Sequence, residues 1–167
     1  MTPNTNRITR SGLRPLNKRK VLTKQKFKRI DFGLMSGGPR FTVVALKDAN
    51  VGDSQVINGV GYVLRNEAQL RDLIRKNRWG DVEKTCTSRI TNFDRLFFEK
   101  PTFNGKIGHW DTSSVRSMKS TFHGAKAFNQ PILAWNTSNV KTMNQMFKFA
   151  TSFHQQLWMW DTSQVTD

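Results

Sequence analysis

The chain has 167 residues, which allows one ordinary domain or a short repeat array with appendages. Its net charge of +15 is unevenly placed: residues 1–40 hold eleven Lys and Arg residues against one acidic residue, so a basic arm precedes a nearly neutral body. The single cysteine, Cys86, excludes an internal disulfide framework, a zinc cluster of cysteines and a redox pair. No stretch approaches the roughly 20 apolar residues of a membrane span, and we expect no secretory signal because the N-terminus has no apolar run.

Residues 1–40 are expected to form a basic N-terminal arm and linker, disordered or extended. Ser36-Gly-Gly-Pro39 is typical of a linker, and the alternating cations between Lys24 and Arg29 favour a strand or a segment threading a partner. Many cations without a base-reading motif predict non-specific, salt-dependent binding to nucleic acid or another polyanion. The expected polyanion-binding residues are Arg7, Arg10, Arg14, Lys18, Arg19, Lys20, Lys24, Lys26, Lys28 and Arg29.

Residues 41–84 are expected to form a β-hairpin plus helix module. Asn58-Gly59 separates two β-branched runs, which predicts a hairpin with a type I′ turn. Asn66 is a candidate cap for a helix that runs to about Lys76 and is closed by Trp79-Gly80. About 40 residues are too few for a stable core, so we expect this module to pack on the C-terminal half of the chain.

Residues 85–167 repeat a unit of 25 residues, and the last copy is incomplete. Within a unit, Val115, Met118 and Phe122 follow the spacing of one helix face, and Thr112 precedes them as a cap. The segment 128–135 is too short for a second helix and is expected to be extended. The sequence therefore predicts an α/β repeat, a solenoid of short strand plus short helix units, whose copies recur at Trp110, Trp135 and Trp160, at Phe97, Phe122 and Phe147, at Phe103, Phe128 and Phe153, and at Val115, Val140 and Val165.

Residues 128–153, FNQPILAWNTSNVKTMNQMFKFATSF, resemble the 25-residue repeat of the BspA-like leucine-rich-repeat family. The Asp-Thr-Ser that follows Trp110 and Trp160 is also typical of it, and the resemblance extends over about residues 50–167. It implies a leucine-rich-repeat-like solenoid used for adhesion or protein–protein contact. Relatives are mostly cell-surface or secreted proteins of bacteria, and similar repeats occur in protists and large viruses.

The candidate chemical groups do not form a catalytic or metal-binding pattern. His109, His123 and His154 fall at different repeat positions, and none has a second ligand at metal-binding spacing. Asp111 and Asp161 are interpreted as turn residues because each precedes Thr-Ser. We therefore expect no catalytic residue, no cofactor, no metal and no enzymatic activity.

The repeated aromatic and asparagine positions are predicted to be structural. Trp and Phe at fixed solenoid positions more often form the core than a surface for stacking bases or sugars. Asn104 and Asn129 are expected to form a hydrogen-bonded ladder along the repeats, and His154 replaces Asn in the next copy.

The expected function is a non-enzymatic protein–protein interaction or structural repeat module whose basic arm binds an anionic partner. Two alternatives stay open from the residues: a minor virion protein, or another structural protein of a large assembly, whose arm contacts neighbours or nucleic acid, and a cell-surface adhesin. A third alternative is a protein whose only function is to bind nucleic acid, and this binding would require the arm.

Overall fold

The computed structural model describes residues 24–31 and 41–167. The six predicted arm cations from Arg7 to Lys20 lie outside these residues. The described chain contains five strands and two helices, all before residue 87, in the order β1 (Phe27–Asp31), β2 (Phe41–Ala45), β3 (Ser54–Ile57), β4 (Val60–Leu64), α1 (Glu67–Arg75), α2 (Trp79–Glu83) and β5 (Thr85–Cys86).

The end of the basic arm is a strand of the body. β1 pairs antiparallel with β2, with Phe27 opposite Ala45 and Asp31 opposite Phe41. Phe27 is fully buried in a small core with Val43 and Tyr62, whereas the remaining residues of β1 are exposed. The burial of one large side chain therefore fixes a segment whose other residues are mostly polar.

The predicted hairpin is formed by β3 and β4, which pair antiparallel from Ser54 opposite Val63 to Ile57 opposite Val60. Asn58 and Gly59 connect them with φ angles of 51° and 77°, as a type I′ turn requires. β5 then pairs parallel with β4, so the hairpin is joined directly to the first repeat.

Helix α1 begins as predicted, because the Asn66 side chain accepts the backbone N–H of Gln69 and the Gln69 side chain returns the bond in a capping box. The prediction that Trp79-Gly80 closes this helix is wrong. These residues begin α2, in which the backbone N–H groups of Asp81 and Val82 both donate to the Arg78 carbonyl. The fully buried Val82 anchors α2 to the core.

In the repeats, backbone hydrogen bonds connect one copy to the next. The N–H groups of one copy donate to carbonyls 24 residues further on, each at 2.9 Å, from Met118, Ser120, Phe122 and Gly124 to Thr142, Asn144, Met146 and Lys148. The preceding copy makes the same ladder from Phe93 to Ser117 and onward. Parallel bridges join Asn92 to Ser117 and Ser117 to Thr142.

The short helix expected in each copy is replaced by consecutive turns. Between ladder bonds, Thr121 and His123 donate to carbonyls three residues back, and Ser120 and Gly124 have positive φ angles of 54° and 71°. These turns give the same i, i+3, i+7 spacing of buried side chains as a helix, which explains the difference. The segment 128–135, expected to be extended, contains no assigned strand. The solenoid class as a whole stays a prediction.

The helices and the repeats share one core. Leu70, Ile74 and Val82 belong to the same buried cluster as the repeat residues Phe97 and Trp110. The N-terminal module therefore packs on the repeats, as its small size predicted. None of the helices in the described ranges is long and apolar enough to cross a membrane.

Candidate interaction surfaces

The repeated aromatic side chains stack inside the molecule. Trp110, Trp135 and Trp160 follow one another with ring centroids 6.3 Å apart and planes within 2° of parallel. Phe122 stacks between the equivalent rings of its neighbouring copies, with centroids at 5.4 and 5.5 Å. Since Trp110 and Trp135 are 1% and 2% exposed, these two rings form core, as the sequence predicted, and Trp160 packs against that core while partly buried.

The Asp-Thr-Ser motif holds turns and joins copies. The Asp111 carboxylate accepts the backbone N–H and the hydroxyl of Ser113, at 3.1 and 2.6 Å. The Asp161 carboxylate likewise accepts hydrogen bonds from Ser163, and the bond from the Ser163 side chain, followed by that from its backbone N–H, lowers the pKa of this carboxyl. The hydroxyl of Thr112 donates across to the next copy, to the carbonyl of Asn136, at 3.0 Å. Both aspartates are therefore turn residues, as interpreted from sequence.

The asparagine column forms the expected ladder. The Asn104 side-chain oxygen accepts the backbone N–H of Asn129 at 3.0 Å, and the Asn129 oxygen accepts that of His154 at 3.2 Å. His154 thus donates the last of these bonds through its backbone N–H, and its side chain is exposed.

The three histidines lie apart. His109 is 7% exposed and lies beside Tyr62, with ring centroids 5.1 Å apart, and its Nε2 has no partner in the described structure. Burial lowers the pKa of His109 to about 4, although a bond to the Glu83 backbone opposes this shift. His123 lies between Phe98 and Phe149, 3.9 Å from a Glu99 carboxylate oxygen. The described residues contain no group of three or more His, Cys, Asp or Glu side chains arranged to hold a metal ion.

Four of the predicted polyanion-binding residues lie in the described ranges. Lys24 pairs with Asp48, Lys26 lies 3.5 Å from Asp53, and Arg29 lies 2.5 Å from the Asp31 of its own strand. Arg29 also lies over the Phe41 ring, 5.1 Å from its centroid. Lys28 is exposed and makes no ion pair with any described residue. Lys24 and Lys26 therefore connect the root of the arm to carboxylates of the body, whereas Arg29 pairs within β1.

A cavity of about 230 Å³ lies between the β1–β2 ribbon and the repeats, beside the place where β2 pairs with them. Ile30 and Thr42 line it on one side, and Trp110, Ala134 and Asn136 line it on the other. The Thr42 hydroxyl and the Trp110 indole nitrogen are buried without hydrogen-bond partners among the described residues. β1 therefore lies close to the second full copy without pairing with it.

Sequence reasoning missed a lateral edge of the repeats that binds strands. The Val63 N–H of β4 donates to the Lys84 carbonyl at 2.9 Å, and the Val43 N–H of β2 donates to the His109 carbonyl at 3.0 Å. Lys84 and His109 stand 25 residues apart, at equivalent repeat positions. No local signal in the sequence pointed to this edge, because β2 and β4 each also pair with a neighbouring strand, β1 and β3.

No curated protein and no solved structure matches the chain. A family model described as "Mycoplasma protein of unknown function, DUF285" matches residues 68–167, which is more than half of the chain. The matched residues include α1 from its second residue onward, α2, β5 and all the copies whose side chains stack. The chain belongs to this DUF285 family, which is related to BspA-like repeats.

Proposed function

We propose that this protein is a non-enzymatic interaction or structural module, built as a BspA-like, leucine-rich-repeat-like solenoid, with a basic arm that binds an anionic partner. The observation that carries the proposal is the stacking of the 25-residue copies, in which side chains and backbone groups repeat in register. Stacking of this kind places equivalent side chains in rows on the surface, and such rows suit extended contacts with another macromolecule.

The interior of the stack supports a scaffold role. Its polar side chains, such as Thr112 and Thr137, are engaged in bonds between copies. The aromatic side chains are used for packing, with Phe97 and Phe103 stacked at 3.9 Å. Function is therefore assigned to the surface and to the arm.

The charge distribution supports the polyanion contact. Lys24 and Lys26 already lie against carboxylates of the body, and Arg29 lies against the carboxylate of its own strand, so the charges of these three cations are partly neutralised. The binding is therefore assigned to Lys28 and to the cations further along the arm, namely Arg7, Arg10, Arg14, Lys18, Arg19 and Lys20. Each phosphate contact that releases a counterion adds about 0.9 to the slope of log affinity against log salt.

The arm is tested by measuring how tightly the full chain binds a short DNA duplex at salt concentrations from about 50 to about 200 mM. Over this range the affinity of a protein with many phosphate contacts falls by several orders of magnitude. The variant replaces Lys18, Arg19 and Lys20 with Gln. The matched control replaces three exposed cations of the body with Gln in the same way, namely Lys106, Lys126 and Lys148. We expect the arm variant to reduce the salt slope by roughly two to three, and the body variant to leave it unchanged. Equal losses in both variants would place the binding on net charge and not on the arm.

The interaction role is tested by cross-linked capture with the full chain, followed by binding measurements with each purified candidate. The proposal expects a protein that binds the chain one-to-one and still binds the arm variant. If every captured protein depends on the arm, the repeats are not the interaction surface and the proposed module fails.

A further inference from the structure

The lateral edge already binds two strands from the same chain. β4 and β2 place the N–H groups of Val63 and Val43 on equivalent carbonyls of successive copies, those of Lys84 and His109. Both pairings are parallel: β4 pairs with β5, and Val43 bridges to Trp110. The same position of the repeat has thus accepted a strand twice.

β2 is held on this edge by three groups. Besides the His109 carbonyl, the Ser88 hydroxyl accepts the Ala45 N–H at 2.9 Å, and the Cys86 thiol donates to the Val43 carbonyl at 3.5 Å. Two acceptors, a carbonyl and a hydroxyl, therefore bind two N–H groups of the strand. One donor, the thiol, binds the strand carbonyl that lies between those N–H groups.

Two copies further on, the chain presents the same three kinds of group. The positions equivalent to Cys86, Ser88 and His109 are Asn136, Ser138 and Met159, 50 residues later. Asn136 uses its side-chain oxygen to accept the N–H and hydroxyl of Ser138, at 3.0 and 2.7 Å, so its amide NH₂ is left to donate. No group within residues 24–31 and 41–167 donates to the Met159 carbonyl.

The intervening copy is less suited to a strand. There the donor position is held by Asp111, whose carboxylate accepts hydrogen bonds and cannot donate to a peptide carbonyl. Ile30 of β1 also lies across the cavity from Ala134, the residue equivalent to His109. The complete set of groups is therefore open at Asn136, Ser138 and Met159.

Apolar side chains surround this open set. Met159 is 40% exposed and its neighbour Trp158 is 71% exposed, two of the largest exposed apolar residues of the described chain. Exposed apolar side chains beside unpaired backbone acceptors are typical of an edge that binds an extended peptide, in which backbone bonds supply affinity and side-chain contacts supply specificity.

We propose that the edge formed by Asn136, Ser138 and Met159 binds an extended segment of a different protein as an added strand, parallel to residues 159–161. Its central residue takes the place of Val43, so it is β-branched or otherwise apolar. β2 of a second molecule of this protein is not available for this, because the edges of β2 already pair with β1 and with the repeats. This inference rests on the proposed interaction function and assigns it a site.

The probe is a synthetic peptide of residues 40–47, RFTVVALK, which reproduces β2 with a cation at each end. Its binding to the full chain is measured by fluorescence anisotropy. Asn136→Asp retains the oxygen that holds Ser138 and replaces only the donor; Asp already occupies this column at 111 and 161, so the variant is expected to fold. The control Asn144→Asp makes the same charge change at an exposed side chain without a hydrogen-bond partner in the described structure.

We expect one-to-one binding that Asn136→Asp weakens roughly tenfold, because one hydrogen bond is replaced by a repulsive contact. Methylation of the peptide nitrogen equivalent to Val43 should weaken it similarly, and Asn144→Asp should not. No binding, or binding equally sensitive to both variants, overturns the inference. If a captured partner still binds Asn136→Asp with full affinity, this site is wrong while the interaction function stands. If the chain forms dimers and the peptide dissociates them, the occupant is a second molecule of this protein, which contradicts the proposal.

Discussion

At the scale of single residues, the buried polar groups carry most of the information. Thr112 and Asp111 connect or shape the copies, whereas His109 is buried at the junction of β2 and the repeats with one nitrogen unpaired. The sequence predicted the turn role of Asp111 from its neighbours Thr-Ser. It gave no reason to place His109 between the module and the repeats, because that contact depends on how β2 packs.

His109 makes stability depend on pH. Its pKa is about 4 in the folded chain and about 6.5 when unfolded, so the unfolded chain binds the proton first as pH falls. The stability that the neutral ring contributes is present above pH 6.5 and is lost between there and pH 4, by about 3 kcal/mol. Urea unfolding of the wild-type chain and His109→Phe at pH 7 and pH 4.5 checks this. The variant should lose that dependence, and the exposed-residue control His154→Phe should retain it.

The Thr112 hydroxyl is expected to stabilise the contact between copies. Thr112→Val removes its bond to the Asn136 carbonyl at a position that is 1% exposed, and should lower the free energy of unfolding by about 1–2 kcal/mol. Thr102→Val, at an exposed threonine, should change it by less than about 0.5 kcal/mol. Similar losses in both variants, measured by urea unfolding, would contradict the role given to Thr112.

At the scale of elements, local signals predicted the structure well and non-local pairing was not visible. The Asn58-Gly59 turn and the Asn66 cap depend on neighbours a few residues away, so their residue types sufficed. The short helix predicted in each copy was wrong, because turns with positive φ at Ser120 and Gly124 bury the same positions as a helix. The pairing of β1 with β2, and of β2 with the repeats, depends on tertiary contacts that no local pattern encodes.

The hairpin turn is tested by two glycine substitutions. Gly59→Ala places a side chain at φ 77° and should cost about 1–2 kcal/mol. Gly61→Ala, two residues later, has no positive φ and no neighbouring atom within 4 Å, and should change stability by less than about 0.5 kcal/mol. Thermal unfolding of both variants distinguishes the two; an equal cost would mean that the turn conformation is not the cause.

At the scale of the whole molecule, the stacked aromatic side chains belong to the larger buried core that the repeats share with α1 and α2. Trp135 stacks on Trp110 and Trp160 and donates its indole N–H to the Ile107 carbonyl at 3.1 Å. Its replacement by Ala should cost about 3–5 kcal/mol, because a large buried side chain is lost. Trp158→Ala, at an exposed tryptophan outside the stack, should cost less than about 1 kcal/mol. Chemical denaturation of both variants gives the comparison, and a small loss at Trp135 would contradict the stack as core.

Successive 25-residue copies lie directly against each other in one register. The Lys141 N–H donates to the Arg116 carbonyl at 2.8 Å, so cysteines at these two exposed positions should be close enough for a disulfide. In a Cys86→Ala background, oxidation of Arg116→Cys with Lys141→Cys should give a rapid intrachain disulfide. The pair Arg116→Cys with Lys148→Cys, which the stack does not align, should remain reduced. Equal cross-linking of both pairs, or cross-links only between molecules, would contradict the stacked arrangement.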